Sequence, residues 1–519
     1  MSLPRLRPTS HRPQALSDLA ERHHWRWHQP DLGVSVTGIS LDSHTVQPGD
    51  LFVALPGRAQ HGARFAPAAL DAGARAILTD PDGLQVLGEI DPAVPIAVVD
   101  QPREKLGQLA AEIYDPGVSL PPVLAVTGTN GKTSVVFFLD DIARAMGLVS
   151  AMSNTHERRI GDERISTPLT TPEAPDLQAL LAVAAEAGAQ LMALEASAQA
   201  IERQRLDGVS VAVAGFTNLS HDHLEDYGDM EHYFSTKAAL FDPQVTRSAV
   251  VSLETEWGER LARHTSVPVV TVGRPDQSPT WALELTESSL EGTSFVLRGP
   301  SGQISSSVRA LGEHMVRNAA LAIVMLIEAG YGLEHLEAAI GLAAGGIRRV
   351  VPGRLERVSG ASDLAVFVDA GRSPDAYQHT LSTLRPLCSG RLIVVCGTSG
   401  NRDRSKRAEM GRIAAHYGDV VLVSDDDPRR EDPAHIRADI LAGARGESDT
   451  VVEEIPEQER AIRRAIELAA PGDTVVWIGP GSQSYRDVSG QRLPFSARHE
   501  AQAALIDAGY LDQASEVAR

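Results

Sequence analysis

The segment Thr127-Gly-Thr-Asn-Gly-Lys-Thr-Ser134 carries the strongest chemical signal in the chain. Gly128 and Gly131 let the backbone turn tightly enough to aim several N–H groups at one point. Thr129, Asn130 and Ser134 complete the turn, Lys132 adds a compact cation, and the Thr133 hydroxyl is a ligand suited to Mg2+. The apolar run Val123-Leu-Ala-Val126 comes before it and a helix-like stretch, Val135 to Met146, comes after. Strand, glycine turn and helix is the setting in which such a loop cradles phosphates, with the helix dipole adding to the attraction. The common phosphate loop has its first glycine five residues before the second. Val126 stands there, so this is a shorter variant.

Apolar runs and turns around this loop separate three blocks, 1–118, 119–350 and 351–519. The first has strand-like runs at Leu51–Leu55 and Ala76–Leu78, with a helical stretch near Ala66–Ala72, and ends in the Pro/Gly-containing segment Gly117–Pro122. The second adds the runs Leu191–Leu194 and Val209–Gly215 to the loop. The third repeats the rhythm at Leu364–Val368, Leu392–Val395, Val420–Val423 and Val475–Ile478. Strands alternating with helices imply parallel α/β sheets, whose ligands sit at the carboxyl ends of the strands. The polar residues just after each run are therefore the candidates for chemistry.

Composition narrows the classes. With 48 Lys+Arg against 68 Asp+Glu the 519-residue chain has a formal net charge of −20, a poor match for a general nucleic-acid binder. No apolar run approaches the roughly 20 residues that span a bilayer, so no membrane insertion is expected. Met1–Pro13 is basic, with no apolar core behind it, and does not read as a signal peptide. The two cysteines, Cys388 and Cys396, cannot build a disulfide framework or a zinc site, which suits a reducing, cytoplasmic setting.

The loop variant resembles that of the Mur ligase family, ATP-dependent amide ligases of peptidoglycan synthesis. Leu41–Ala54 is similar to the family's uridine-nucleotide segment, and Phe216–Leu224 and Gly228–Tyr233 to its central signature. Gly353-Arg354 and Asp425-Asp-Asp-Pro-Arg429 are similar to its C-terminal motifs. Within the family the chain is most similar to the MurE type, which adds the third residue to UDP-N-acetylmuramoyl-L-alanyl-D-glutamate. The resemblance implies three α/β domains: an N-terminal uridine-nucleotide-binding domain, a central P-loop ATPase-like parallel sheet and a C-terminal Rossmann-like domain. The implied reaction activates the glutamate carboxylate as an acyl phosphate, which an incoming amine attacks. Phosphates and a carboxylate held close together call for divalent cations and basic side chains.

By the same resemblance, Glu195 after Leu191–Leu194, His223, Thr133 and Lys237 hold Mg2+, Lys237 as a carbamate; Lys132 serves the phosphates. Taken alone, a strand-end Glu is more often solvated, a lone His a surface residue, and a helix Lys simply exposed. Ser43 is expected at the uridine end. Thr170, Thr171, Ser197, Arg203 and Arg205 are expected on the muramoyl peptide, with Arg205 pairing a carboxylate. Asn318, Arg354 and Asp369 match positions that contact the adenine nucleotide.

Several positions depart from the family pattern. His44 stands for Arg, Ser197-Ala-Gln-Ala200 for Ser-Ser-His-Gly, and Arg203 for Gln. Asp369-Ala-Gly-Arg372 stands for Asp-Tyr-Ala-His, and Arg372 is conjectured to replace the lost ATP contacts by stacking or phosphate contact. The incoming amino acid is expected to meet Arg402, Asp426, Asp427, Arg429, Gly479 and Gln483. An extra carboxylate at Asp427 favours a cationic terminus, L-lysine or L-ornithine. Arg429 keeps meso-diaminopimelate in play, and Gln483 offers no charge for an ammonium group. Two other readings fit the altered motifs: a paralogue joining a different acid and amine, and a nucleotide-binding regulatory protein without turnover.

Overall fold

The computed structural model of the protein describes residues 6–57, 59–165, 169–220, 227–360, 362–446 and 450–512. The chain divides into two compact units, one of residues 1–284, 297–304 and 317–344, the other of residues 285–296, 305–316 and 345–519. The N-terminal block and most of the phosphate-loop block thus share the first unit.

The first unit contains two large sheets, besides the short pair Gln14–Ala15 with Ser35–Val36. The N-terminal sheet is built from β1 (Arg26–Gln29), β2 (Gly38–Ser40), β3 (Asp50–Ala54), β4 (Ala76–Thr79) and β5 (Ile96–Val98), in the order β1-β5-β4-β3-β2. All pairings are parallel except β1 with β5. The second sheet is built around β6 (Val123–Thr127). Its other strands are β7 (Ser150–Ser153), β8 (Arg158–Ile160), β9 (Glu163–Ile165), β10 (Leu191–Glu195), β11 (Val211–Phe216), β12 (Thr246–Ser252) and β13 (Val269–Gly273). They run β9-β8-β7-β10-β6-β11-β12-β13, and Trp281 and Ala282 extend the sheet beside Val272 and Gly273. Every residue of β6 and β10 is buried, as continuous apolar runs in a parallel sheet covered on both faces must be. Each Val, Leu or Met side chain among them that is removed from water contributes about 1.5–3 kcal/mol.

Helix α1 (Lys132–Ala145) returns the chain from β6, burying Val135–Leu139 together with Ile142 and Ala143. It stops where Gly147 turns left-handed at φ 78°, its N–H donating to the Arg144 carbonyl. Gly215 in β11 lets the helix Glu313–Glu328 approach: a Cβ there would lie 2.5 Å from the Met325 sulfur.

The second unit contains β14 (Glu356–Arg357), β15 (Ala365–Asp369), β16 (Leu392–Cys396), β17 (Val420–Val423), β18 (Val451–Glu454) and β19 (Thr474–Ile478), in the order β14-β15-β19-β16-β17-β18. All but β14 are parallel. A hairpin of β20 (Tyr485–Val488) and β21 (Gln491–Pro494) follows. This order puts the tips of β15, β19, β16 and β17 side by side, although they are far apart in sequence. Among the described residues no helix is long and apolar enough to cross a membrane.

Candidate functional site

At the carboxyl end of β6 the loop takes the shape that its glycines permit. Gly128 has φ 146° and Gly131 φ 87°. A Cβ on Gly128 would lie 1.9 Å from the Thr217 hydroxyl, and one on Gly131 2.4 Å from Asn318 Oδ1. The tip of β11 braces the loop. Thr217 Oγ1 donates to the Asn130 carbonyl (2.6 Å), Asn218 Oδ1 accepts from Asn130 N–H (3.0 Å), and Thr129 N–H donates to the Asn218 carbonyl (2.9 Å). Thr129, Thr133 and Ser134 are all buried. Lys132 folds back to donate to the carbonyls of Gly128 (3.1 Å) and Thr129 (2.9 Å).

The tip of β10 brings Glu195 to this loop, 3% exposed. Its Oε2 accepts from Thr133 Oγ1 at 2.8 Å and from Thr155 N–H and Oγ1, both at 3.1 Å, while Lys132 Nζ lies 3.9 Å from Oε1. A hydroxyl and a carboxylate oxygen this close together in a buried spot form a hard-oxygen donor pair, which fits Mg2+. Lys237, on α2 (Met230–Ala238), reaches the loop from beneath. It is 1% exposed, donates to the Gly128 carbonyl at 2.8 Å and stands 4.4 Å from the centre of the Tyr233 ring. His223 lies outside the described residues.

A second group extends from Glu195. Thr171 Oγ1 donates to the Glu195 carbonyl (2.7 Å) and accepts from Ser197 N–H (3.1 Å). Thr170 and Thr155 hydroxyls meet at 3.1 Å. Arg205 is brought here too, but its guanidinium is engaged: it donates to the Thr171 carbonyl (3.2 Å) and pairs with Glu173 (2.8 Å). Half-buried Arg203 makes no side-chain hydrogen bond or ion pair among the described residues. Ser43 is buried at the start of the turn Ser43–Thr45, and His44, the departure beside it, pairs with Asp42 at the surface.

In the second unit the strand tips form another cluster. Asp369, ending β15, turns its carboxylate to the backbone, accepting from Leu355 N–H (2.9 Å) and Gly371 N–H (2.8 Å). It thereby fixes the turn that presents exposed Arg354. Gly479 N–H donates to the Asp369 carbonyl at 2.9 Å. Arg372 grips Asp426 with Nε (2.8 Å) and Nη2 (3.1 Å), and Nη2 also reaches Asp427 (3.3 Å) and Gln483 Oε1 (2.6 Å). Asp427, the extra carboxylate expected to favour a cationic terminus, is thus already partnered, and its other oxygen accepts Asp487 N–H at 3.1 Å. Arg372, conjectured to replace lost ATP contacts by stacking or phosphate contact, is here engaged with Asp426, Asp427 and Gln483.

Burial pushes the Asp426 carboxyl above its usual range while Arg372 pulls against it. For Arg372, burial opposes the charge, yet Asp426 and Asp427 together hold the guanidinium above its ordinary value. Arg429 adopts left-handed backbone at φ 54°, an unusual conformation for a side chain of its size. Arg429 and exposed Arg402 make no side-chain hydrogen bond or ion pair among the described residues. Cys396, ending β16, is pushed up to about 12 by burial and is inert as a nucleophile at neutral pH.

Reasoning from sequence missed Thr155, Thr217 and Asn218 as the groups that shape the phosphate site. The Thr-Asn after the β11 run was a visible signal, since strand tips face ligands; Thr155 follows β7 in the same way.

Three family models match the chain: "Mur ligase family, catalytic domain" over residues 35–114, "Mur ligase middle domain" over 126–326 and "Mur ligase, glutamate ligase domain" over 353–481. The chain is 47% identical to the UDP-N-acetylmuramyl-tripeptide synthetase of Leifsonia xyli subsp. xyli, covering 92% of this chain and 93% of that protein. It is 40% identical to the UDP-N-acetylmuramoyl-L-alanyl-D-glutamate–2,6-diaminopimelate ligase of Streptomyces coelicolor, covering 90% and 92%. A solved structure of a 2,6-diaminopimelate ligase with the same acceptor superposes with a TM-score of 0.68 at 30% identity, covering 92% of this chain and 96% of that one.

Proposed function

Since the chain belongs to the Mur ligase family and is an ATP-dependent ligase of peptidoglycan synthesis, we propose that it adds a diamino acid to UDP-N-acetylmuramoyl-L-alanyl-D-glutamate in the cytoplasm. The observation that carries this reading is Glu195 on Thr133 at 2.8 Å, beside Lys132 in a glycine-built loop. That arrangement suits transfer of a phosphoryl group to an acid.

Lys132 exchanges the Gly128 and Thr129 carbonyls for the terminal phosphate of ATP, and the loop N–H groups orient that phosphate. An oxygen of the glutamate carboxylate attacks the terminal phosphorus, and the bond to ADP breaks. The amine nitrogen then attacks the acyl carbon, loses a proton, and phosphate leaves. Thr133, Glu195, His223 and carbamylated Lys237 would hold Mg2+, which when bound screens the crowded anions. Carbamate formation joins a neutral Lys237 amine to CO2 with loss of a proton, and a buried position favours the neutral amine. Thr170, Thr171, Ser197 and Arg203 would meet the muramoyl peptide and Ser43 the uridine end; Arg205 would act by holding Thr171. Asn318 stands against the phosphate loop, and for Arg354 and Asp369 the nucleotide role rests on family resemblance alone.

The incoming residue would meet Arg402, Arg429, Gly479 and the Asp426–Asp427–Gln483 group. With Asp427 held by Arg372, the charge argument for L-lysine or L-ornithine weakens. Relatives named as diaminopimelate ligases support meso-diaminopimelate instead. Purified protein given UDP-muramoyl dipeptide, ATP, Mg2+ and each amino acid should release phosphate and yield a tripeptide by mass spectrometry. ATP binding with no product from any amine would refute the proposal.

A further inference from the structure

The ion cluster of the second unit does more than cap its strands. Arg372 follows β15, Asp426 and Asp427 follow β17, and Gln483 follows β19, so a single guanidinium ties three strand tips together. Each of the four carboxylate oxygens accepts a hydrogen bond: three come from Arg372 and one from Asp487 N–H. Lys406 Nζ anchors the backbone of Arg372 by donating to its carbonyl at 2.8 Å. The side chains of Asp426 and Asp427 are 2% and 6% exposed. Buried pairs of this kind recover little net stability after desolvation, so stability alone does not account for the cluster. A carboxylate already desolvated and paired is also a weak partner for an incoming ammonium group. The other cations of this group, Arg402 and Arg429, have no ion pair among the described residues.

We propose that Arg372 is a specificity-determining residue: it withdraws Asp426 and Asp427 from the amino-acid site, so the site favours a side chain ending in a carboxylate over one ending in a lone ammonium group. This rests on the reading of the second unit as the amino-acid site. Removing the guanidinium releases both buried carboxylates, which then attract the lysine ammonium.

The test compares kcat/KM for L-lysine, for L-norleucine, which ends one atom short of the lysine ammonium nitrogen, and for meso-diaminopimelate. Wild type should use meso-diaminopimelate best and show a lysine-to-norleucine ratio within about threefold of one. Arg372→Gln should raise that ratio about tenfold, the scale of one charge-assisted hydrogen bond, while Arg372→Lys should hold it near wild type. Adding both Asp426→Asn and Asp427→Asn to Arg372→Gln should cancel the rise. Asp427→Asn alone should leave the ratio unchanged, which keeps the test decisive even if Arg372→Gln does not fold. Strong wild-type preference for lysine over norleucine would overturn the inference. So would an unchanged ratio in a folded, phosphate-releasing Arg372→Gln, or a tenfold fall of the ratio in Asp427→Asn. Absence of product with every amino acid would instead refute the ligase reading itself.

Discussion

Replacing Glu195 by Gln isolates the charge at the heart of the phosphate site. The amide oxygen can still accept from Thr133 Oγ1 and Thr155 N–H, so the packing around a 3% exposed side chain is kept. What is lost is the negative charge. At 3.9 Å from Lys132 it supplies a Coulomb attraction of about 4 kcal/mol at an effective dielectric of 20, before desolvation is subtracted. Folding recovers little of this, because both groups are hydrated in the unfolded chain, and the unfolding midpoint should move by only about 2–4 °C. On the proposed reading catalysis depends on the charge more directly, since Glu195 would orient Lys132 and hold a cation against the phosphates. Loss of one preorganised electrostatic contact costs about 100- to 1000-fold, or about 2.7–4 kcal/mol. The assay is amino-acid-dependent phosphate release across a Mg2+ titration, with thermal unfolding alongside. The variant should need more Mg2+ and stay at least about 100-fold below wild type when saturated. Activity within threefold of wild type would refute the role assigned to Glu195.

Gly128→Ala would put a Cβ 1.9 Å from the Thr217 hydroxyl at a backbone φ of 146°; ATP binding measured by calorimetry should be lost while circular dichroism stays native-like. Lys237→Ala removes the 2.8 Å bond to the Gly128 carbonyl and the proposed carbamate; ligase activity should fall at least about 100-fold. Depleting CO2 should slow wild type, and full activity of the variant would contradict both roles. Glu431 is held to about 2 by its hydrogen bond with Arg407, with the Asn401 N–H and the Arg407 charge assisting. A depressed carboxyl stabilises the fold fully above its unfolded value and loses that contribution as pH falls through the folded value. Glu431→Gln should therefore lower the unfolding midpoint at pH 7, and the gap to wild type should close between about pH 4.5 and pH 2.

The apolar runs read as strands all became strands, because short runs bounded by polar or glycine turns suit strands of a sheet covered on both faces. The phosphate loop was equally legible, since its glycines, lysine and threonine act through local backbone geometry. The amino-acid side was less so. Asp427, read singly, is an extra carboxylate for a cationic terminus; in the fold it is paired with Arg372, 55 positions away.

By itself the sequence determined the parallel α/β class, the glycine-built loop that follows β6, and the family. Those depend on contiguous residues whose preferences are local. Tertiary structure alone decided that Thr155, 40 positions away, would steady Glu195, that Thr217 and Asn218 would brace the loop, and that Arg205 and Arg372 would be bound to carboxylates of their own chain. The physical reason is strand order. In a parallel sheet the neighbours of a strand tip are set by crossovers, and the charges that meet there settle their protonation and partners only once burial removes the water between them.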